Sequence, residues 1–186
     1  MGIISVLIIF ICICVDNMVS ANMSALKMTK ENKSVFSVKM ALVFTGFNVL
    51  LFGLGYLVSI VFFHNWVYFA HNWVAFAFLL LLGIKFMLES IEKSPSFSDV
   101  DAGNWSKLIK VSVLLGLNSF MVGYAMKTMD CSFFPQVLFL LILTFVMTLL
   151  GSHLGGTTEN KNLISKKFEL VAGLILIIMA IRLILI

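Results

Sequence analysis

Asp16 places a carboxylate in the middle of the apolar run Ile3 to Leu26, within Val15-Asp16-Asn17-Met18-Val19-Ser20-Ala21. An ionised acid at the centre of a membrane helix costs roughly 2.5–3.5 kcal/mol on insertion scales. Cys12, Asp16 and Ser20 recur at i, i+4 and i+8 and share a helical face with Met23, while Asn17 lies about 100° round. The second half of the chain answers with Gly116-Leu117-Asn118-Ser119-Phe120-Met121-Val122-Gly123, an amide standing where the first half has its acid. An Asn carbonyl coordinates a hard cation without cancelling its charge. The two patches are therefore expected to face each other at mid-membrane and form a cation site. Asn48 and Thr144 are candidates to complete its shell. Two roles fit Asp16: binding or relaying a cation, as intramembrane acids do on ion pathways, or a structural ion pair with Lys85 or Arg182. Those two cations fit either snorkelling to the interface or acting as a counter-charge to Asp16 when no cation is bound. Asn118 fits an interhelical hydrogen bond nearly as well as a ligand role.

The elements that must position these residues are membrane helices. The chain of 186 residues is 61% hydrophobic and 12% charged, with a mean hydropathy of +1.08. A soluble domain carries about twice that charge, so the fold class is an all-α integral membrane protein. Expected spans are 3–26, 39–62, 67–90, 107–127, 133–154 and 168–186. From Met40 to Ile84 there is no Asp, Glu, Lys or Arg, a stretch too long for one span. It must turn near His64-Asn65-Trp66, where Trp66, Tyr68 and Trp73 suit an aromatic belt. Polar connections fall at Lys27–Ser34 and Gly155–Lys167, and Glu92–Asn104 reads as a linker holding Pro95.

Charge and cysteine chemistry narrow the function classes further. The net charge of +4 is no nucleic-acid signal, because the basic residues sit in membrane-flanking loops. Lys27, Lys30, Lys33, Lys39, Lys93, Lys107, Lys110, Lys161, Lys166 and Lys167 fall on one side, and Lys127 on the other. That bias puts both termini on the outer face. Cys12, Cys14 and Cys131 show no disulfide framework. Val19-Ser20-Ala21 is a poor signal-peptide cleavage site, since no Lys or Arg precedes the apolar core and Asp16 interrupts it. The methionines are scattered over different helices and read as gap-filling. His64, His71 and His153 have no second ligand at metal spacing, and no nucleophile triad, phosphate loop or metalloprotease spacing occurs. The chain therefore reads as no enzyme.

The two halves resemble each other. Asp16 aligns with Asn118 at an offset of 102 residues; Asn48, Phe52 and Gly55 align with Thr144, Thr148 and Gly151 at 96; Ala75 and Lys85 align with Ala172 and Arg182 at 97. Such offsets predict two inverted three-helix repeats, 1–94 and 105–186, joined by a cytoplasmic linker over 95–104, with a site where the halves cross. Gly151 and Gly155 make a small-xxx-small face for close packing.

These patches resemble the manganese efflux pump family (MntP type) within the lysine-exporter superfamily. That family carries Asp-Ala-x-Ala-Val-Ser/Gly in helix 1 and again in helix 4. Asp16-Asn17-Met18-Val19-Ser20-Ala21 keeps the first acid, and Asn118-Ser119-Phe120-Met121-Val122-Gly123 lacks the second. His71-Asn72-Trp73-Val74-Ala75-Phe76 with Gly83-Ile84-Lys85 is similar to the family's helix 3, and Lys167-Phe168-Glu169-Leu170-Val171-Ala172-Gly173 to its helix 6 entry. Family members usually carry an Asp where Asn118 stands, an acid or Gln near Asn48, and a Pro near Phe52.

The resemblance implies a secondary transporter of the bacterial inner membrane that exports a divalent cation, Mn²⁺ first, in exchange for protons. Its expected ligands are Asp16, Asn118, Ser20, Asn17, Ser119, Asn48 and Thr144, with Lys85 and Arg182 as counter-charges. The partners implied are the lipid bilayer, the metal cation and protons, with no permanently bound cofactor and no nucleic acid. The alternatives are export of another cation or a small cationic metabolite on the same fold, and a non-transporting scaffold whose site has decayed.

Overall fold

The computed structural model describes the backbone of residues 3–26, 33–65, 68–91, 105–129, 132–154 and 161–185. Six helices account for them: α1 (Ile3–Leu26), α2 (Lys33–Asn65), α3 (Tyr68–Ile91), α4 (Trp105–Thr128), α5 (Phe133–Leu154) and α6 (Lys161–Leu185). Among the described residues, five of these helices are long and apolar enough to cross a membrane. The architecture is an all-α, multi-pass membrane bundle. The linker over 95–104, the connections 27–32 and 155–160, and Cys131 lie outside the described residues, as do the side chains of the hairpin at 64–66.

Two helix starts differ most from the sequence expectation. Helix α2 begins at Lys33 rather than 39, and α6 at Lys161 rather than 168. Hydrophobicity marks where a helix meets lipid, whereas a helix can run on through the polar turns beyond, begun here by Lys33 and Lys161.

Each helix buries one stripe and offers the other to lipid. On α2, Phe44, Asn48, Phe52, Gly55 and Ser59 are buried at helical spacing, while Leu50, Leu54, Leu57 and Val61 are exposed. Exposed Leu and Ile in such numbers suit a hydrocarbon solvent, where no hydrophobic penalty follows.

Pairing runs across the halves. Helix α2 packs most extensively against α4, α3 against α6, and α1 against α5. Glycines set the closest approaches. A Cβ at Gly55 would meet the Phe120 carbonyl, one at Gly123 the Phe52 carbonyl, and one at Gly151 the Met18 carbonyl. The first and third are counterparts at the offsets read from the sequence, Gly55 with Gly151 and Phe120 with Met18. At Gly83 a Cβ would stand 2.9 Å from the Gly173 carbonyl, which draws α3 and α6 together. Between α2 and α4 the approach brings Asn48 to Ser119; without it the polar centre could not close.

Candidate cation site

Helix α1 lies where the other helices meet, and successive polar residues on it address different neighbours. Asp16 faces α4 and α3, Asn17 faces α2, Cys14 faces α5, and Ser5 faces α6. A rotation of 100° per residue is what distributes them so.

Asp16 is fully buried. Its Oδ2 accepts a 2.6 Å hydrogen bond from Asn118 Nδ2. The Asn118 Oδ1 accepts in turn from Lys85 Nζ at 3.0 Å, and that ammonium stands 3.8 Å from Asp16 Oδ2. Lys85 also stands 3.6 Å from Glu89 Oε1, one turn along α3. A carboxylate, an amide and an ammonium thus form one compact cluster drawn from three helices.

A second chain runs beside it. Asn17 Oδ1 accepts from Asn48 Nδ2 at 3.2 Å, Asn48 Nδ2 also donates to the Phe44 carbonyl at 2.7 Å, and Ser119 Oγ donates to Asn48 Oδ1. Asn17, Asn48 and Ser119 are all buried. Asn48→Ala removes the partner of both Asn17 and Ser119, and an unsatisfied buried polar group costs about 1–3 kcal/mol. Its thermal midpoint in detergent should fall below the wild type; an unchanged midpoint would show that the chain adds no stability.

Of the residues expected in the site, Asp16, Asn118, Asn17, Asn48 and Ser119 come together here. Ser20 is buried one turn from Asp16 on the same face, and among the described residues its Oγ has no hydrogen-bond partner. Asp16 Oδ1 is likewise without one. Two buried oxygens of suitable hardness, one of them anionic, therefore retain free lone pairs on one face of α1. Thr144 goes elsewhere: its Oγ1 lies 3.6 Å from Cys14 Sγ, on a face of α1 about 200° round from Asp16. Arg182 donates to Ser5 Oγ at 3.0 Å, about three turns of α1 from Asp16. Of the two cations, Lys85 is the counter-charge to Asp16 in this structure.

The surroundings are unequal at the two ends. Towards the N-terminus of α1 lies a cluster of rings, with Phe10–Phe52 centroids 5.7 Å apart, Phe10–Phe139 5.8 Å and Tyr56–Phe133 4.9 Å. Towards the other end lie buried hydroxyls, Ser24, Ser112, Thr148 and Ser152, each donating to a carbonyl of its own helix. Of these hydroxyls the sequence singled out Thr148 alone, through its alignment with Phe52.

A family model described as "Putative manganese efflux pump" matches residues 31–184. A curated protein of Methanothermobacter thermautotrophicus named "Putative manganese efflux pump MntP" is 27% identical over 110 residues, covering 58% of this chain and 55% of that protein. The chain therefore spans little more than half the length of the curated relative it matches. No solved structure matches.

Proposed function

The chain belongs to the manganese efflux pump family, and from that premise we propose that it is a secondary transporter exporting a divalent cation, Mn²⁺ first, across the bacterial inner membrane with both termini outside. Asp16 coordinates the ion. Asn118, Ser20, Asn17, Ser119 and Asn48 contribute neutral oxygens or hold those that do, with water completing an octahedral shell. Thr144, bonded to Cys14 in this structure, joins the shell only if α1 or α5 turns.

One observation carries this reading: the residues at corresponding positions of the two halves, Asp16 and Asn118, meet through a 2.6 Å hydrogen bond between buried side chains. The division into inverted repeats, 1–94 and 105–186, is supported by the crosswise pairing of α2 with α4 and of α5 with α1. Alternating access then follows from one repeat rocking against the other. Protons are the proposed counter-ion, Asp16 taking one as the metal leaves. In inside-out vesicles, collapsing the proton gradient should stop Mn²⁺ uptake; uptake that continues at the same rate removes protons from the scheme.

A second reading follows from charge. Where α1 crosses α4, Asp16 brings a carboxylate but Asn118 an amide, and Asn48 adds a second amide and Lys85 an ammonium. That set suits a cargo of lower charge, another cation or a small cationic metabolite. Sensitivity panels over metals and amino acids separate the two: the first reading predicts raised tolerance to Mn²⁺ alone. Asn118→Asp supplies a second carboxylate and should raise apparent affinity for Mn²⁺ by roughly tenfold, about 1.4 kcal/mol. A decayed, non-transporting scaffold would show neither effect.

A further inference from the structure

We propose that Lys85 is a tethered cation that occupies the Asp16 carboxylate between transport events and steps to Glu89 when the transported ion arrives. This deepens the reading above and rests on it. Lys85 and Glu89 lie one helical turn apart on α3, so their side chains meet on one face. The ammonium lies almost equally far from two carboxylates, 3.8 Å from Asp16 Oδ2 and 3.6 Å from Glu89 Oε1. Neither distance is a hydrogen bond. It donates a 3.0 Å hydrogen bond to the neutral Asn118 Oδ1, which helps to hold the charge within reach of both stations. Turning about the last bonds of the lysine stem closes one ion pair and opens the other.

The residue type suits this task. A lysine head is a compact charge with three rotatable donors on a flexible stem, where a guanidinium would lock into a planar fork. With its side chain 36% exposed, Lys85 has room to move, while Asp16 at 1% and Glu89 at 11% are fixed in protein. A divalent ion on Asp16 repels an ammonium at that distance in a low-dielectric site, so the lysine must leave. Glu89 gives it a station within reach, and the displaced charge stays paired. Once the proton that replaces the cargo has itself departed, the lysine returns, and the carboxylate is not left bare in an apolar bundle. Lys85 competes with cation and proton alike, and it releases Asn118 Oδ1 as a ligand when it moves.

The test is calorimetric titration of the purified full chain in nanodiscs with Mn²⁺. Lys85→Gln removes the competitor and should bind Mn²⁺ about tenfold more tightly; Lys85→Met should do the same. Glu89→Gln removes the second station and should bind about tenfold more weakly. The double variant Lys85→Gln/Glu89→Gln should match Lys85→Gln alone, because Glu89 acts only through the lysine. Weaker binding in every variant, or a double variant weaker than Lys85→Gln, overturns the switch, although wild-type binding that Asp16→Asn abolishes would leave the site standing. A wild-type chain that binds no Mn²⁺ overturns both.

Discussion

Cells expressing Asp16→Asn are expected to lose Mn²⁺ tolerance while carrying as much of the protein in the membrane as wild-type cells. The substitution keeps shape and removes one charge. An amide oxygen at position 16 still accepts from Asn118 Nδ2, the 2.6 Å bond that joins α1 to α4. Lys85 keeps Glu89 at 3.6 Å and Asn118 at 3.0 Å, so no cation is stranded in the bundle. What goes is the single negative charge offered to a cargo. Two unit charges at 4 Å interact by about 4 kcal/mol at an effective dielectric of 20. Losing most of that lowers apparent affinity at least roughly hundredfold, about 2.8 kcal/mol. Growth on a manganese gradient plate with immunoblotting of membranes reads both halves of the prediction. Unchanged tolerance would make Asp16 a structural residue.

The second large effect lies in the packing. Gly55→Leu or Gly123→Leu should abolish monodisperse protein in detergent. A Cβ at either glycine meets a carbonyl of the facing helix, Phe120 or Phe52, and backbone cannot move aside as a side chain can. Overpacking a core costs about 1–3 kcal/mol, and a clash with backbone at the tightest helix pair belongs at the upper end. The pair also carries the Asn48–Ser119 contact, so a partly folded product loses the polar centre as well. Gly46→Ala is the control, since nothing lies within 4 Å of a Cβ there. Size-exclusion profiles and thermal midpoints measure this directly. A Gly55→Leu chain with wild-type profile and midpoint would contradict the packing described.

The helices were legible because apolar runs of membrane length have few other solutions. The meeting of Asp16 with Asn118 was legible too, through the matched offsets of the two halves. What stayed hidden was which polar groups pair. An apolar run says that a helix crosses, not which neighbour it crosses beside. The grouping of Asn17, Asn48 and Ser119 depends on α2 lying against α4, and that depends on glycines whose partners are distant carbonyls. Thr144, a candidate to complete the shell, faces Cys14 in this structure, because similar halves do not keep identical side-chain partners. Lys85 and Arg182 were both expected as counter-charges to Asp16, and which of them reaches it depends on how α3 sits against α4. Arg182, the counterpart of Lys85 by offset, ends at Ser5 instead.

Mn²⁺ flux into proteoliposomes reconstituted with the purified chain tests the cation site most directly, comparing wild type with Asp16→Asn under an imposed proton gradient. Saturable uptake in the wild type, absent in the variant, is the expected result. Equal uptake in both, or none in either, would contradict a transport site built on Asp16.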